Sequence, residues 1–262
     1  MVRSWTAAEV LAEAAAWIWV PDDARVVERE DYLLVDFPPG YDDEAPTQVQ
    51  WTRSSRAPAD LVDEVLAQAR AWGCRRCAWW VRDDTAPESL ADELTGRGAF
   101  LHDTVNVLAL PLTGIAPPDV EGVTCRIVRD ERTLRDARTV YREVWGGAEP
   151  DEDEWLRQVA EAARPVGERP AFQVVAYVDG EPASAAGCTR AGDVARLWGA
   201  ATRPALRGRG AYRAVTQARL AAARDLGATL GLSRARVGTS GPILLRSGFT
   251  SYGEERLLAL DL

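Results

Sequence analysis

The sequence contains no lysine and only one histidine, and both shortages exclude chemistry. All 31 basic residues of the 262-residue chain are arginine, so a reaction that needs a lysine amine is excluded. His102 is the single histidine and there are four cysteines, which leaves too few side chains for the four ligands of a zinc site. We therefore expect no bound metal.

Long apolar runs are also missing. No stretch approaches the roughly 18 to 20 apolar residues that span a bilayer. Glu9 and Glu13 occupy the segment in which a signal peptide would have its apolar centre. These features predict a cytoplasmic protein that does not bind membranes.

An excess of basic charge is lacking as well. The net charge is −9, which argues against nucleic acid as a partner and is compatible with a cationic substrate attracted over long range. The cysteines are too few and too scattered for a disulfide scaffold. Because Cys77 leads directly into the apolar "AWWV", we predict that Cys74 and Cys77 of "CRRC" are buried and inert.

The chain has the composition of a globular protein and one clear boundary signal. Hydrophobic residues make up 47% of it. The segment "PLTGIAPPDVEG", residues 111–122, has three prolines and two glycines between two apolar strands, as interdomain linkers do. We predict a first domain at 1–112, a linker at 113–121 and a second domain at 122–262.

The two halves resemble each other. Residues 98–112 and 248–262 both begin with glycine and end in "LALPL" and "LALDL", at an offset of 150. The same offset pairs Thr52 with Thr202. The interpretation is two copies of one fold, and the alternative is chance similarity between short apolar repeats.

The two copies differ in one loop. "ARAWG" at 69–73 matches "ARDLG" at 223–227, but at an offset of 154, so the N-terminal half is four residues shorter upstream of this match. That shorter stretch, "TRSSRAPADLVDEVL", contains no glycine. The N-terminal copy is therefore predicted to lack the glycine loop of the C-terminal copy.

The C-terminal half shows a regular order of elements. Its periodicity predicts a strand, two helices, a three-stranded antiparallel meander, a helix, a strand, a short helix and final strands. Asp179-Gly180 predicts a tight hairpin, Gly199 a bulge, and the small-residue pattern from Arg209 to Leu226 a helix against a sheet. This order is typical of an α/β domain with a mixed sheet.

The stretch "RPALRGRGAYRAV", residues 203–215, lies where that meander ends and the helix begins. The first amides of a helix lack internal partners and attract anions, and glycines let a phosphate approach them. Arg207 and Arg209 can add charged contacts to the same anion. The pattern predicts a pyrophosphate site.

Other interpretations of this loop are weaker. A dinucleotide-binding fingerprint would need glycine at Arg213, and a P-loop would need lysine. Binding of nucleic acid through arginine and glycine conflicts with the acidic chain. A solvated helix start without a ligand remains open.

The order of elements, Arg-x-x-Gly at Arg207 to Gly210 after "GAATRP", and the late "LLRSGF" resemble the GNAT superfamily of acyl-CoA-dependent N-acyltransferases. Tyr212 stands where the family pattern has Gly or Ala. The resemblance is good over 122–262 and weak over 1–112, as in a tandem GNAT protein with a degenerate N-terminal copy. It implies an α/β (α+β) fold of two GNAT-like domains, each a mixed, mainly antiparallel sheet flanked by helices.

The resemblance also implies a cofactor site. The loop amides would hold the pyrophosphate of acetyl-CoA or another acyl-CoA, and the strand end would pair with the pantetheine arm. The thioester would lie between that strand and "TLGLS". The implied acyl-CoA residues are Ala200, Ala201, Thr202, Arg207, Gly208, Arg209, Gly210, Ala211 and Tyr212. One acyl-CoA per chain is expected.

Catalytic residues are less evident. The tyrosine that is the suspected acid in many GNAT proteins is replaced by Leu244, and we consider Tyr252 as a substitute. Glu149 and Glu152, in an acidic loop and helix start, could bind or deprotonate a cationic amine; capping and solvation are the alternative. The expected partner is a small-molecule or peptide amine, and a homodimer is compatible with the sequence. The alternative to an enzyme is a non-catalytic CoA-binding or interaction protein.

Overall fold

A computed structural model describes residues 4–262, which form two compact units. Unit 1 comprises the described residues up to Ala14, Leu108–Arg234 and Ile243–Tyr252, and unit 2 comprises Ala15–Val107, Ala235–Pro242 and Gly253–Leu262. The units are therefore interleaved along the chain, and the linker predicted at 113–121 lies within unit 1. The division into two repeated domains at 1–112 and 122–262 stays a prediction.

The described residues form seven α-helices and eleven β-strands. The helices are α1 Ala7–Ala15, α2 Pro58–Ala71, α3 Leu90–Gly96, α4 Glu131–Trp145, α5 Glu152–Ala163, α6 Ala211–Asp225 and α7 Ser240–Arg246. Two short 3₁₀ helices occupy Val166–Glu168 and Pro204–Leu206. The strands are β1 Arg25–Glu28, β2 Tyr32–Asp36, β3 Thr47–Thr52, β4 Arg76–Val81, β5 Phe100–Pro111, β6 Val123–Ile127, β7 Ala171–Val178, β8 Glu181–Ala191, β9 Val194–Thr202, β10 Leu230–Arg236 and β11 Thr250–Asp261.

The sheet of unit 1 has the strand order β10-β9-β8-β7-β6. The β9–β10 pair is parallel and the other pairs are antiparallel. Helices α4 and α5 cover a cluster of buried apolar side chains that includes Leu134, Ala137, Val140, Ala185 and Ala201. The predicted mixed, mainly antiparallel α/β architecture is confirmed here.

The sheet of unit 2 has the order β1-β2-β3-β4-β11. Its β3–β4 pair is parallel, and the β1–β2, β2–β3 and β4–β11 pairs are antiparallel. Helix α2 buries Leu61, Val62 and Val65 in the core of this unit. The final strands predicted from the sequence are one strand, β11, because the chain continues from Thr250 to Asp261 without a turn.

Two local predictions concern glycine turns. Asp179 and Gly180 have φ of 51° and 85°, which is the type I′ turn predicted between β7 and β8. Helix α6 starts at Ala211, two residues after the predicted Arg209, because Gly210 has a φ of 81° and ends the preceding loop.

The cysteines are free thiols. Cys77 is buried as predicted, but Cys74 is half-buried and contacts Asp36 at 3.6 Å, because it lies in the turn that follows α2. Burial raises the pKa of both thiols. This agrees with unreactive side chains, although the predicted full burial of Cys74 is wrong.

Corresponding elements of the two halves end at the offsets seen in the sequence. Strands β5 and β11 are related by an offset of 150 at both ends, as are α3 and α7. Helices α2 and α6 both end at positions related by an offset of 154. The repeats in the sequence thus coincide with repeated secondary structure.

Candidate active site

Strand β9 leaves its parallel neighbour partway along its length. The β9–β10 register ends with Leu197 opposite Ser233, whereas β9 continues to Thr202 and stays paired with β8, where Ser184 faces Thr202. The strand end Ala200–Thr202 therefore extends beyond the parallel pair. We call the space beyond this point the β9–β10 gap.

A bulge lies at the mouth of this gap. The β8–β9 register shifts between Ala185 and Gly187, and Gly199 on β9 has a φ of 58°, as predicted for a bulge glycine. At Gly187, by contrast, glycine is required by close packing and not by a positive φ. A Cβ at this position would lie 2.4 Å from the ring of Trp198, which covers it.

The glycine loop connects the end of β9 to α6. Gly208 and Gly210 have φ of 75° and 81°, which side chains rarely tolerate. The first helical hydrogen bond runs from the Ala214 amide to the Gly210 carbonyl, so the amides of Ala211, Tyr212 and Arg213 lie ahead of it. Gly210 has no side chain with which to cap them.

The other long helices of unit 1 begin differently. The Asp130 carboxylate caps α4 by accepting a 2.8 Å hydrogen bond from the Thr133 amide. The Asp151 carboxylate caps α5 by accepting one of 2.8 Å from the Glu154 amide. Helix α6 is thus the one of these three whose N-cap leaves the positive end of the helix dipole free for an external anion.

The two arginines of the loop are tethered at its rim. Arg209 donates to the Asp179 carboxylate at 2.5 Å, and Nε of Arg207 donates to the Thr202 carbonyl at 3.3 Å. Both contacts are exposed, so they are weak and could be exchanged for contacts with an anion. Tyr212, in the first turn of α6, is half-buried, and this burial raises its pKa.

Arg219 is a functional candidate that the sequence reasoning missed. Its side chain is 1% exposed, and one terminal nitrogen, Nη1, donates to the carbonyls of Gly187 at 3.0 Å and Trp198 at 3.1 Å. These two carbonyls come from the neighbouring strands that form the bulge. Burial lowers the pKa of Arg219. An arginine inside the apolar helical pattern was the signal that could have revealed it.

Tyr141 and Trp145 form a second group that the sequence reasoning did not assign to a site. The rings lie one helical turn apart on α4, with centroids 5.2 Å apart and planes at 8°. A Cβ built on Gly199 would lie 3.9 Å from the Tyr141 hydroxyl and 4.0 Å from the Trp145 ring. The pair therefore faces the bulge on β9.

The acidic residues at the start of α5 have local partners. Glu149 is exposed and paired with Arg142, and its second oxygen lies 3.8 Å from Arg138. Glu152 is exposed in the first turn of α5, where the helix dipole favours a carboxylate. This placement fits capping and solvation, and the catalytic role of either residue stays a prediction.

The remaining predicted site residues are placed as follows. Tyr252 is half-buried near the start of β11, and Leu244, at the position of the usual acid, is 1% exposed in α7. Trp198 packs over Gly187, and its indole nitrogen donates to the Thr189 hydroxyl at 2.9 Å. Trp198 is thus a structural part of the bulge. The catalytic role of Tyr252 is untested.

Comparison with known families identifies the segment that contains this loop. Residues 118–233 match the family model described as an acetyltransferase (GNAT) domain. Residues 118–233 form a GNAT domain. GNAT proteins transfer acyl groups and use acyl-CoA as the donor, so the match supports acyl transfer as the general activity of this domain.

Solved structures resemble the chain well beyond the GNAT domain. A GCN5-related N-acetyltransferase from Kribbella flavida is 18% identical, with a TM-score of 0.64 over 96% of this chain and 93% of that one. One from Sphaerobacter thermophilus is 16% identical, with a TM-score of 0.62 over 88% and 81%. A tandem GNAT protein from the clavulanic acid biosynthesis pathway is 14% identical, with a TM-score of 0.61 over 97% and 87%. At these identities the likeness establishes the fold.

Two further comparisons are negative. The sequence matches no curated protein. Within residues 4–262, no helix combines the length and the apolar character that crossing a membrane would require.

Proposed function

We propose that the protein is an N-acyltransferase that transfers the acyl group of acetyl-CoA or another acyl-CoA directly to an amine. The observation that carries the proposal is the start of α6, where two left-handed glycines lead to three helical amides with no capping side chain on Gly210. This arrangement suits a pyrophosphate. Arg207 and Arg209 lie at its rim.

The strand end supports the same donor. Ala200–Thr202 is paired with β8 on one side and extends beyond its register with β10, so an extended pantetheine arm could add to it as a strand does. The β9–β10 gap would then hold the thioester. These residues fit an acyl-CoA because the contacts come mainly from backbone, which tolerates the unusual Tyr212.

A binding experiment tests the donor site. Saturating acetyl-CoA should raise the Tm of the chain, by roughly 5–10 °C at a hundred times Kd, with one molecule bound per chain by calorimetry. Absence of both a Tm shift and binding heat would refute the proposal.

Matched variants at Gly208 test where the donor binds. Apart from this glycine and its two chain neighbours, no residue of 4–262 has a heavy atom within 4 Å of a Cβ built here, whereas one on Gly210 would lie 2.6 Å from Val120. Asn and Asp both tolerate a left-handed φ. Gly208→Asp should therefore weaken acetyl-CoA binding roughly tenfold relative to Gly208→Asn, because only Asp adds negative charge beside the phosphates. Equal affinities of the Asp and Asn variants for acetyl-CoA would mean that the pyrophosphate does not bind beside Gly208.

A non-catalytic CoA-binding protein is the second candidate, and buried Leu244 at the position of the usual acid favours it. Both candidates predict binding of acetyl-CoA. A panel of small-molecule and peptide amines, including cationic ones, separates them by release of free CoA thiol. An enzyme releases thiol with at least one amine, whereas a binding protein releases none.

A further inference from the structure

Tyr141 carries a buried hydroxyl without a hydrogen-bond partner among residues 4–262. Buried hydroxyls in native proteins are nearly always hydrogen-bonded, so an exception points to a missing ligand atom or to a functional role. Tyr177, in the same unit, shows the ordinary arrangement, since its hydroxyl donates to the Asp136 carboxylate at 2.7 Å.

The surroundings hold the Tyr141 ring in place. It stacks on Trp145 and packs against the apolar cluster beneath α4 and α5. Its hydroxyl is 3.9 Å from the position that a Cβ on Gly199 would occupy. Because Gly199 has no side chain, no Cβ stands between the hydroxyl and the backbone of the bulge.

The hydroxyl is a donor over the whole working pH range. Burial raises the pKa of Tyr141, against a smaller opposing influence of the Arg219 charge. A phenol in this state keeps its proton and can donate it to a hydrogen bond, but is a poor source of a transferred proton. The role that suits it is stabilisation of an oxygen that becomes negative.

We propose that the Tyr141 hydroxyl is a catalytic hydrogen-bond donor to the carbonyl oxygen of the acyl thioester. The inference rests on the proposed function, in which the donor lies along Ala200–Thr202 and its thioester reaches the bulge at Gly199. It assigns to α4 a catalytic group in addition to Tyr252, Glu149 and Glu152, whose catalytic roles stay predictions.

The bonds and charges of the step balance without an additional reagent. The amine nitrogen forms a bond to the carbonyl carbon, and negative charge develops on the carbonyl oxygen, to which Tyr141 donates. The bond from carbon to sulfur then breaks, CoA leaves as the thiolate, and the surplus proton of the nitrogen passes to water. Tyr141 keeps its proton throughout.

Infrared spectroscopy tests the hydrogen bond without any acceptor amine. Acetyl-CoA labelled with ¹³C at the carbonyl is bound to the full chain, and its C=O stretch is read from the isotope difference spectrum. A hydrogen bond lowers this frequency, so the stretch should be lower when bound than when free in an apolar solvent. In Tyr141→Phe it should rise relative to the wild-type complex.

Kinetics and stability provide the second readout. With the most active amine of the panel, or with water as the acceptor in slow acetyl-CoA hydrolysis, Tyr141→Phe should lower kcat about 10- to 100-fold. The KM for acetyl-CoA should stay within about twofold of wild type, because the contact strengthens only as charge develops. The Tm should be unchanged or slightly higher, since an unpaired buried hydroxyl is removed.

Tyr177→Phe is the matched control. It removes a hydroxyl that has a partner, so it should lower the Tm and leave both the C=O stretch and kcat unchanged. If Tyr141→Phe alters neither the stretch nor kcat while acetyl-CoA still binds, the inference is wrong and the proposed function survives. If wild type does not bind acetyl-CoA, the proposed function itself fails.

Discussion

Strands β9 and β3 end at Thr202 and Thr52, which occupy equivalent positions in the two halves. The free edges of these two strand ends have different hydrogen-bond partners. In unit 2 the Ala86 amide donates to the Thr52 carbonyl at 3.1 Å, and the Ser54 amide donates to the Ala86 carbonyl at 3.0 Å. The backbone of Ala86 therefore occupies the hydrogen-bonding edge at the end of β3. In unit 1 the Thr202 carbonyl is contacted by the exposed side chain of Arg207.

The loops that follow these two strands also differ, in length and in glycine content. Eight residues with two left-handed glycines join β9 to α6, whereas five residues without glycine join β3 to α2, which begins with a proline. Both strands have a parallel neighbour and a shifted register on the other side. The common framework alone thus does not provide the proposed acyl-CoA site, which also depends on an open strand edge and a glycine loop.

The helices differ in charge at one buried position. By the offset of 154, Val65 of α2 corresponds to Arg219 of α6, and both are buried. In unit 1 two strand carbonyls converge on the guanidinium, whereas Val65 lies in an apolar cluster. A cation is therefore accommodated only where the bulge supplies acceptors.

The largest effect is expected from Val65→Arg. It places a charge in an apolar core, so the chain should lose at least about 4 kcal/mol of stability and about 10 °C or more in Tm, or fail to fold. Thermal unfolding by circular dichroism measures this. Val65→Met, which is long but uncharged, should lose less than half as much. A loss below about 3 °C for the arginine variant would show that the two positions are interchangeable.

Arg219→Val should have the next largest effect. Two buried carbonyls lose their donor, which lowers stability by about 2–3 kcal/mol, and the Tm shift caused by acetyl-CoA should shrink because the bulge loosens. Arg219→Gln keeps N–H donors and should recover part of both quantities. Arg213→Val, an exposed site on the same helix, should change the Tm little. If Arg219→Val were as stable as the wild type, Arg219 would not be needed to stabilise the bulge.

The smallest effect is expected from removal of the side-chain cap of α4, which α6 lacks. Hydrogen bonds from Thr133 lower the pKa of Asp130 below its usual value, so its stabilising contribution is complete above the unfolded pKa and is lost as the pH falls through the folded one. Asp130→Ala should cost about 1 kcal/mol at pH 7 and little at pH 2. Urea unfolding at both pH values measures it, and a pH-independent loss would contradict the capping role.

The sequence revealed those parts of the molecule that depend on neighbours along the chain. Helical and strand periods, the Asp179-Gly180 turn and the glycine loop from Gly208 to Gly210 were predictable, because each is set by local backbone geometry. The repeat and its offsets were also visible, because they follow from a direct comparison of the residues in the two halves. These features suffice to predict the α/β fold and an anion site at the start of α6.

The tertiary structure alone decided what surrounds that site. Arg219 contacts a carbonyl 32 residues away, Tyr141 faces Gly199 on another element, and Ala86 covers the end of β3. The tertiary structure also shows Glu149 paired with arginines. No local pattern encodes such contacts, because burial and pairing depend on which distant elements the folded sheet brings together.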